Sequence, residues 1–107
     1  MTSTEYGSYF DKDGSPLSEA GWLEKLGDQY NRVAEDDCNG VWVSTVWLGL
    51  NHAYGSGPPV IFETMVFESK ENLSELYCDR YHTLEEAEAG HLAVLTKIKN
   101  HVPRKDW

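Results

Sequence analysis

The stretch Val41–Phe67, VWVSTVWLGLNHAYGSGPPVIFETMVF, constrains this chain most, because it concentrates the β-branched and aromatic residues able to make the core of a sheet. Within it Val41–Leu50 and Val60–Phe67 are two apolar runs of strand length. Alternation gives Val41, Val43, Thr45 and Trp47 to one face of the first run, and Trp42, Ser44, Val46, Leu48 and Leu50 to the other. Neither face is polar, so this strand is expected to be central, with one face under helices and the other partly covered. The second run alternates Val60, Phe62, Thr64 and Val66 with Ile61, Glu63, Met65 and Phe67, and Glu63 is its one charge.

The rest of the chain covers or edges these strands. Asn39-Gly40 is a strong two-residue hairpin signal, so residues 30–38 are expected to pair with 41–50. Leu73–His82 reads as a fourth strand, with Tyr77, Asp79 and Tyr81 on one face and Arg80 within reach of Glu63. Ser8–Phe10 is expected to add a short edge strand. Ser18 is positioned to cap a helix over Glu19–Leu26 that Gly27 ends as a C′ residue. Thr83-Leu84-Glu85-Glu86 is a capping box opening a helix over Leu84–His101, whose Leu84, Ala87, Val94, Leu95 and Ile98 cluster around His91. His91 is therefore expected in the helix–sheet core, with Glu63 the carboxylate nominated to reach it. Short connections favour hairpins over crossovers. The expectation is one α+β domain: an antiparallel meander of about four strands (roughly 29–38, 41–50, 60–68, 75–82) with both helices packed on one face, and with residues 1–7 and 103–107 flexible.

Charge narrows the functions. The 107 residues carry 18 acidic and 9 basic side chains, net −9, which disfavours direct binding of nucleic acid. Lys97, Lys99, Arg104 and Lys105 against Asp106 make a local +3, and removing that from −9 leaves −12 for residues 1–96. No apolar run approaches the ~20 residues of a membrane span and no signal peptide is legible, so a cytoplasmic location is expected. Cys38 and Cys78 have no metal-ligand spacing and read as thiols in a reducing compartment. Asp11, Asp13 and Gly14 resemble the start of a calcium loop, but the twelfth position, where a Glu is needed, is Trp22. Gly55 and Gly57 lack the Gly-Lys-Ser/Thr ending of a phosphate loop. No cofactor is implied and no catalytic residue is nominated.

Three segments, VSTVWLGLNHAYGSGPPVIFETMVF at 43–67, YHTLEEAEAGH at 81–91 and, more weakly, YFDKDGSPLS at 9–18, carry a resemblance to a family of small acidic proteins of actinobacteriophages and actinobacterial genomes. That family continues after its MVF segment with small or glycine residues, whereas this chain reads Glu68-Ser69-Lys70-Glu71. The resemblance implies context rather than chemistry: a phage or prophage product working in a bacterial host cytoplasm, or one carried on a virion.

Two functions of different class follow. The first is a non-enzymatic protein–protein interaction module that modulates a host factor or defence system by binding a cationic protein. Its acidic rim would be Glu35, Asp36 and Asp37 at the tip of the first hairpin, with His52 and Tyr54 in the long loop as specificity contacts. The second is a small enzyme or metal-binding protein built on His52, Glu63, His82 and His91, which lack the short paired spacing of a zinc site. A minor virion component is a variant of the first.

Overall fold

The turn at Asn39-Gly40 sets the register of the first hairpin. Asn39 (φ 50°) and Gly40 (φ 88°) are both left-handed, as a two-residue type I′ hairpin requires, and Cys38 pairs directly with Val41 across it. This geometry is taken from a computed structural model that describes residues 8–27, 29–53 and 57–107. From the turn run β1 (Arg32–Cys38) and β2 (Val41–Trp47), followed by β3 (Phe62–Phe67) and β4 (Glu75–Tyr81). They form one antiparallel sheet in the order β1-β2-β3-β4, the expected meander. Two helices complete the α+β fold: α1 (Glu19–Leu26), capped by the Ser18 hydroxyl, and α2 (Leu84–Lys99), opened by the full Thr83–Glu86 capping box.

Several ends differ from expectation for local reasons. Gln29–Asn31 is a 3₁₀ turn, so β1 starts at Arg32. Ser8–Phe10 contributes only two isolated bridges, Tyr9 with Leu50 and Phe10 with Pro16. Gly27 stays in the helical region (φ −73°) rather than turning left-handed. Helix α2 stops at Lys99 because His101 takes the left-handed position (φ 56°). The Val102 N–H then returns to the Lys97 carbonyl and that of His101 to Ile98, the paired bonds of a Schellman ending. The C-terminal residues, expected to be flexible, form a 3₁₀ turn over Arg104–Asp106. Trp107 donates its indole N–H to the Val102 carbonyl and sets its ring 5.2 Å from Tyr77, closing one end of the core.

Helix α2 lies across all four strands, and the core beneath it has two parts. One gathers Cys38, Val43 and Val66 under Val94, Leu95 and Ile98. The other gathers Trp47, Ile61 and Phe62 under Ala87, with Trp22 and Leu26 of α1 packed against it, so both helices share one face. Trp47 is fully buried and donates its indole N–H to the Phe10 carbonyl; truncating such a residue costs about 3–5 kcal/mol. A ladder break between Arg32 and Ala34 supplies an extra residue, Val33, which packs into this second cluster. Between the two apolar parts the inward positions are polar: Thr45 and Thr64, cross-strand partners, lie under His91.

Candidate functional site

The polar layer is a continuous hydrogen-bonded chain. His91 is 3% exposed and its Nδ1 lies 2.7 Å from the Thr45 hydroxyl, which lies 2.5 Å from that of Thr64. The Tyr81 side chain lies next to Thr64 at this end of the chain. On the other side His91 Nε2 donates to Asp36 Oδ2 at 2.8 Å, and the Asp36 side chain is half-exposed. In the Nε2–H tautomer Thr45 donates to Nδ1 and accepts from Thr64, so each link uses one proton. The chain thereby joins β1, α2, β2 and β3. Gly90 makes room for it: a Cβ there would overlap the Tyr81 ring.

Carboxylate, imidazole and hydroxyl in sequence are the parts of a hydrolase triad. Here Thr45 and Thr64 are both fully buried, so neither hydroxyl can meet a substrate carbonyl. The chain serves instead to satisfy polar groups that would otherwise cost about 1–3 kcal/mol each if left unbonded in the core.

This arrangement corrects the sequence reading of the acidic rim. Glu35, Asp36 and Asp37 do not face a partner together, since alternate residues of β1 point to opposite faces. Asp36, opposite Val43, lies on the helix-covered face, where it is tied to His91. Glu35 and Asp37 lie on the open face, opposite Ser44 and Trp42. Glu35 stands 3.8 Å from both Arg32 and Lys70, and Asp37 is exposed. His52 is exposed in the loop after β2, at the other end of the sheet from the Asn39-Gly40 turn; Tyr54 lies outside the described residues.

The four residues of the metal or enzyme reading do not converge either. Glu63 is on the open face, where it accepts a 2.9 Å bond from Arg80, so it is Asp36 and not Glu63 that reaches His91. His82 Nδ1 is 3.0 Å from the Pro59 carbonyl. Among the described residues no group of three or more His, Cys, Asp or Glu side chains is placed to hold a metal ion. Both cysteines are free thiols on opposite faces, Cys38 in the core and Cys78 beside Glu63. Burial, then the Glu63 carboxylate, pushes the Cys78 thiol up to about 11, so it is unreactive at neutral pH.

Away from the helices, the open face carries an aromatic row. Asp37 pairs with Trp42, Trp42 with Phe67 and Phe67 with Glu75, so two stacked rings (5.5 Å between centroids) stand between two carboxylates. Arg32 lies beside it, donating to Ser44 at 2.5 Å, with its guanidinium 5.7 Å from the Trp42 ring. At the other end of the molecule Asp11 receives the Tyr30 hydroxyl and pairs with Lys25 at 3.1 Å. Burial alone would raise the Asp11 carboxyl, but the bonds from Tyr30, the Lys12 amide and Lys25 outweigh it and hold the group below the usual carboxylate range. Near it a cleft of about 470 Å3 lies between the Asp11–Gly14 turn and the start of α2, with Lys12, Asp13, His82 and Glu85 in its walls.

The Asp36–His91 pairing had a signal in the sequence. A two-residue turn at 39–40 places residue 36 opposite 43, on the same side as Thr45, and alternation places Glu63 opposite to Thr64. The Glu75 end of the aromatic row had none, because a break in the ladder between Val66 and Phe67 shifts it into place. Compared with known proteins, the chain matches no family model, no curated protein and no solved structure.

Proposed function

We propose that this chain is a non-enzymatic binding module whose negative surface receives a cationic protein partner. One observation carries the reading: each lysine and arginine among residues 1–96 is already engaged. Lys25 is paired with Asp11, Arg32 and Lys70 with Glu35, and Arg80 with Glu63, while Lys12 lies 4.1 Å over the Tyr30 ring. The charge left uncompensated over this part of the surface is therefore carboxylate. A field of one sign speeds encounter with an oppositely charged partner and rejects partners of like charge. The Asp36–His91–Thr45 chain supports the same reading, since the hydroxyls of Thr45 and Thr64 are buried away from any substrate.

The resemblance to actinobacteriophage proteins makes a bacterial host factor or defence protein the class of partner intended. The test is affinity capture from bacterial cells with the tagged chain and with its Asp37→Asn/Glu75→Gln variant, which removes two exposed carboxylates that no ion pair among the described residues engages. Basic proteins held by the first and lost from the second are expected. Equal capture by both would overturn the reading.

A further inference from the structure

Resting on that reading, we infer that the open face of the sheet is the docking surface, and that its occupant is an extended protein segment with two basic side chains flanking an apolar one. The row Asp37–Trp42–Phe67–Glu75 crosses all four strands. Strands lie ~4.8 Å apart, so the backbones bearing the two carboxylates are about 14 Å apart. An extended chain rises ~3.4 Å per residue, so residues i and i+4 span that same distance, with i+2 above the middle. The middle here is the Trp42–Phe67 stack. A segment of the form basic-x-apolar-x-basic, laid along the row, sets its apolar side chain on the rings and its charges beside Asp37 and Glu75. Neither carboxylate has an ion pair among the described residues, and both are exposed.

A separate observation points to the same place. Of the four tryptophans, Trp22, Trp47 and Trp107 each donate their indole N–H to a backbone carbonyl. That of Trp42 has no acceptor among the described residues, although this side chain is half-buried. A backbone carbonyl of the incoming segment would supply one, and Tyr and Trp bearing such a polar handle are favoured at interfaces. Arg32, whose guanidinium lies over the Trp42 ring, shows a basic group tolerated there, and Glu35 offsets its charge. A second copy of this chain is the wrong occupant. It would bring further net −9 onto a face already flanked by Asp37 and Glu75, and like charges in opposed positions destabilise a contact.

The experiment is a titration of the isotopically labelled full chain, followed by amide and indole NMR shifts. The probe is a blocked peptide centred on Arg-Ser-Leu-Ser-Arg. Controls are Glu-Ser-Leu-Ser-Glu and a peptide of the first composition with its two arginines adjacent. Shifts are expected to concentrate at Asp37, Trp42 (indole N–H included), Phe67 and Glu75, with both controls weaker by about tenfold or more. Asp37→Asn/Glu75→Gln, which touches only exposed side chains, should weaken binding by a similar factor, and Trp42→Thr should abolish it. Absence of binding, or equal binding of the adjacent-arginine control, overturns the inference. Shifts centred on the His52 loop or the Lys12–Glu85 cleft also overturn it while leaving the cationic-partner reading standing. A dimer seen by sedimentation and abolished by Trp42→Thr would give the face to a second copy and overturn it as well.

Discussion

Asp36 and His91, 55 residues apart in the chain, meet in a 2.8 Å hydrogen bond that fastens the edge strand β1 to helix α2. The bond is also the outer end of the chain through Thr45 and Thr64, so a half-exposed carboxylate orients a ring that is almost fully buried. His91→Ala should therefore cost more than its volume alone suggests, about 2–4 kcal/mol, because it opens a cavity and leaves the Thr45 hydroxyl short of a partner. Asp36→Asn keeps an acceptor for Nε2–H and should cost about 1 kcal/mol or less. Urea unfolding of the two variants against the parent checks both values.

The two threonines should behave as a unit. Thr45→Val and Thr64→Val each remove one hydroxyl and strand its neighbour, for an expected loss of about 1–3 kcal/mol apiece. The double variant should cost less than the sum, since the second change removes a group already unpartnered. A double-mutant cycle giving strict additivity would show that the 2.5 Å contact contributes nothing.

At Gly90 packing and helix propensity oppose each other. Alanine is the better helix former by about 1 kcal/mol, so in an exposed helix Gly90→Ala would stabilise. Here the added methyl meets the Tyr81 ring and its hydroxyl. A net loss of about 1–3 kcal/mol is expected, as for other overpacked positions. A raised melting temperature for this variant would contradict the close approach.

Acid should act through Asp11. Its carboxyl is held below the ordinary range in the folded state, so the stability it contributes is complete above its unfolded value of about 4 and is lost as pH falls through the lower folded value. Asp11→Asn removes that dependence. The variant should be less stable than the parent at neutral pH, and its stability should fall less steeply below about pH 4. Parallel acid limbs for the two proteins would show that Tyr30 and Lys25 do not hold the carboxylate.

What was legible in the sequence followed from local rules. The β-branched runs gave β2 and β3, Asn39-Gly40 gave the first hairpin with its register, and Thr83 with Glu86 gave the start of α2. The burial of His91 followed from its place among Ala87, Val94 and Ile98. Less legible was anything set by long-range packing. Trp107 has no periodic pattern around it, yet it docks on Tyr77, because an aromatic four residues past Pro103 can fold back over an open core end. The acidic triplet was misread because composition groups Glu35, Asp36 and Asp37, whereas a strand separates them. Glu63 was nominated for His91 by charge alone, although its own alternation with Thr64 sends it to the other face. The Glu75 end of the aromatic row depends on a ladder irregularity beside Phe67 that no residue type announces.

Salt dependence of association between the chain and a captured basic partner is the most direct measure of whether uncompensated carboxylates receive it. The association rate should be measured from about 50 mM to about 500 mM salt, over which screening shortens from roughly 14 Å to roughly 4 Å. A steep fall for the parent is predicted, with a slower rate and a shallower fall for Asp37→Asn/Glu75→Gln, in which Asp36 keeps its bond to His91. Rates indifferent both to salt and to the substitution would contradict the claim that the uncompensated carboxylates receive the partner.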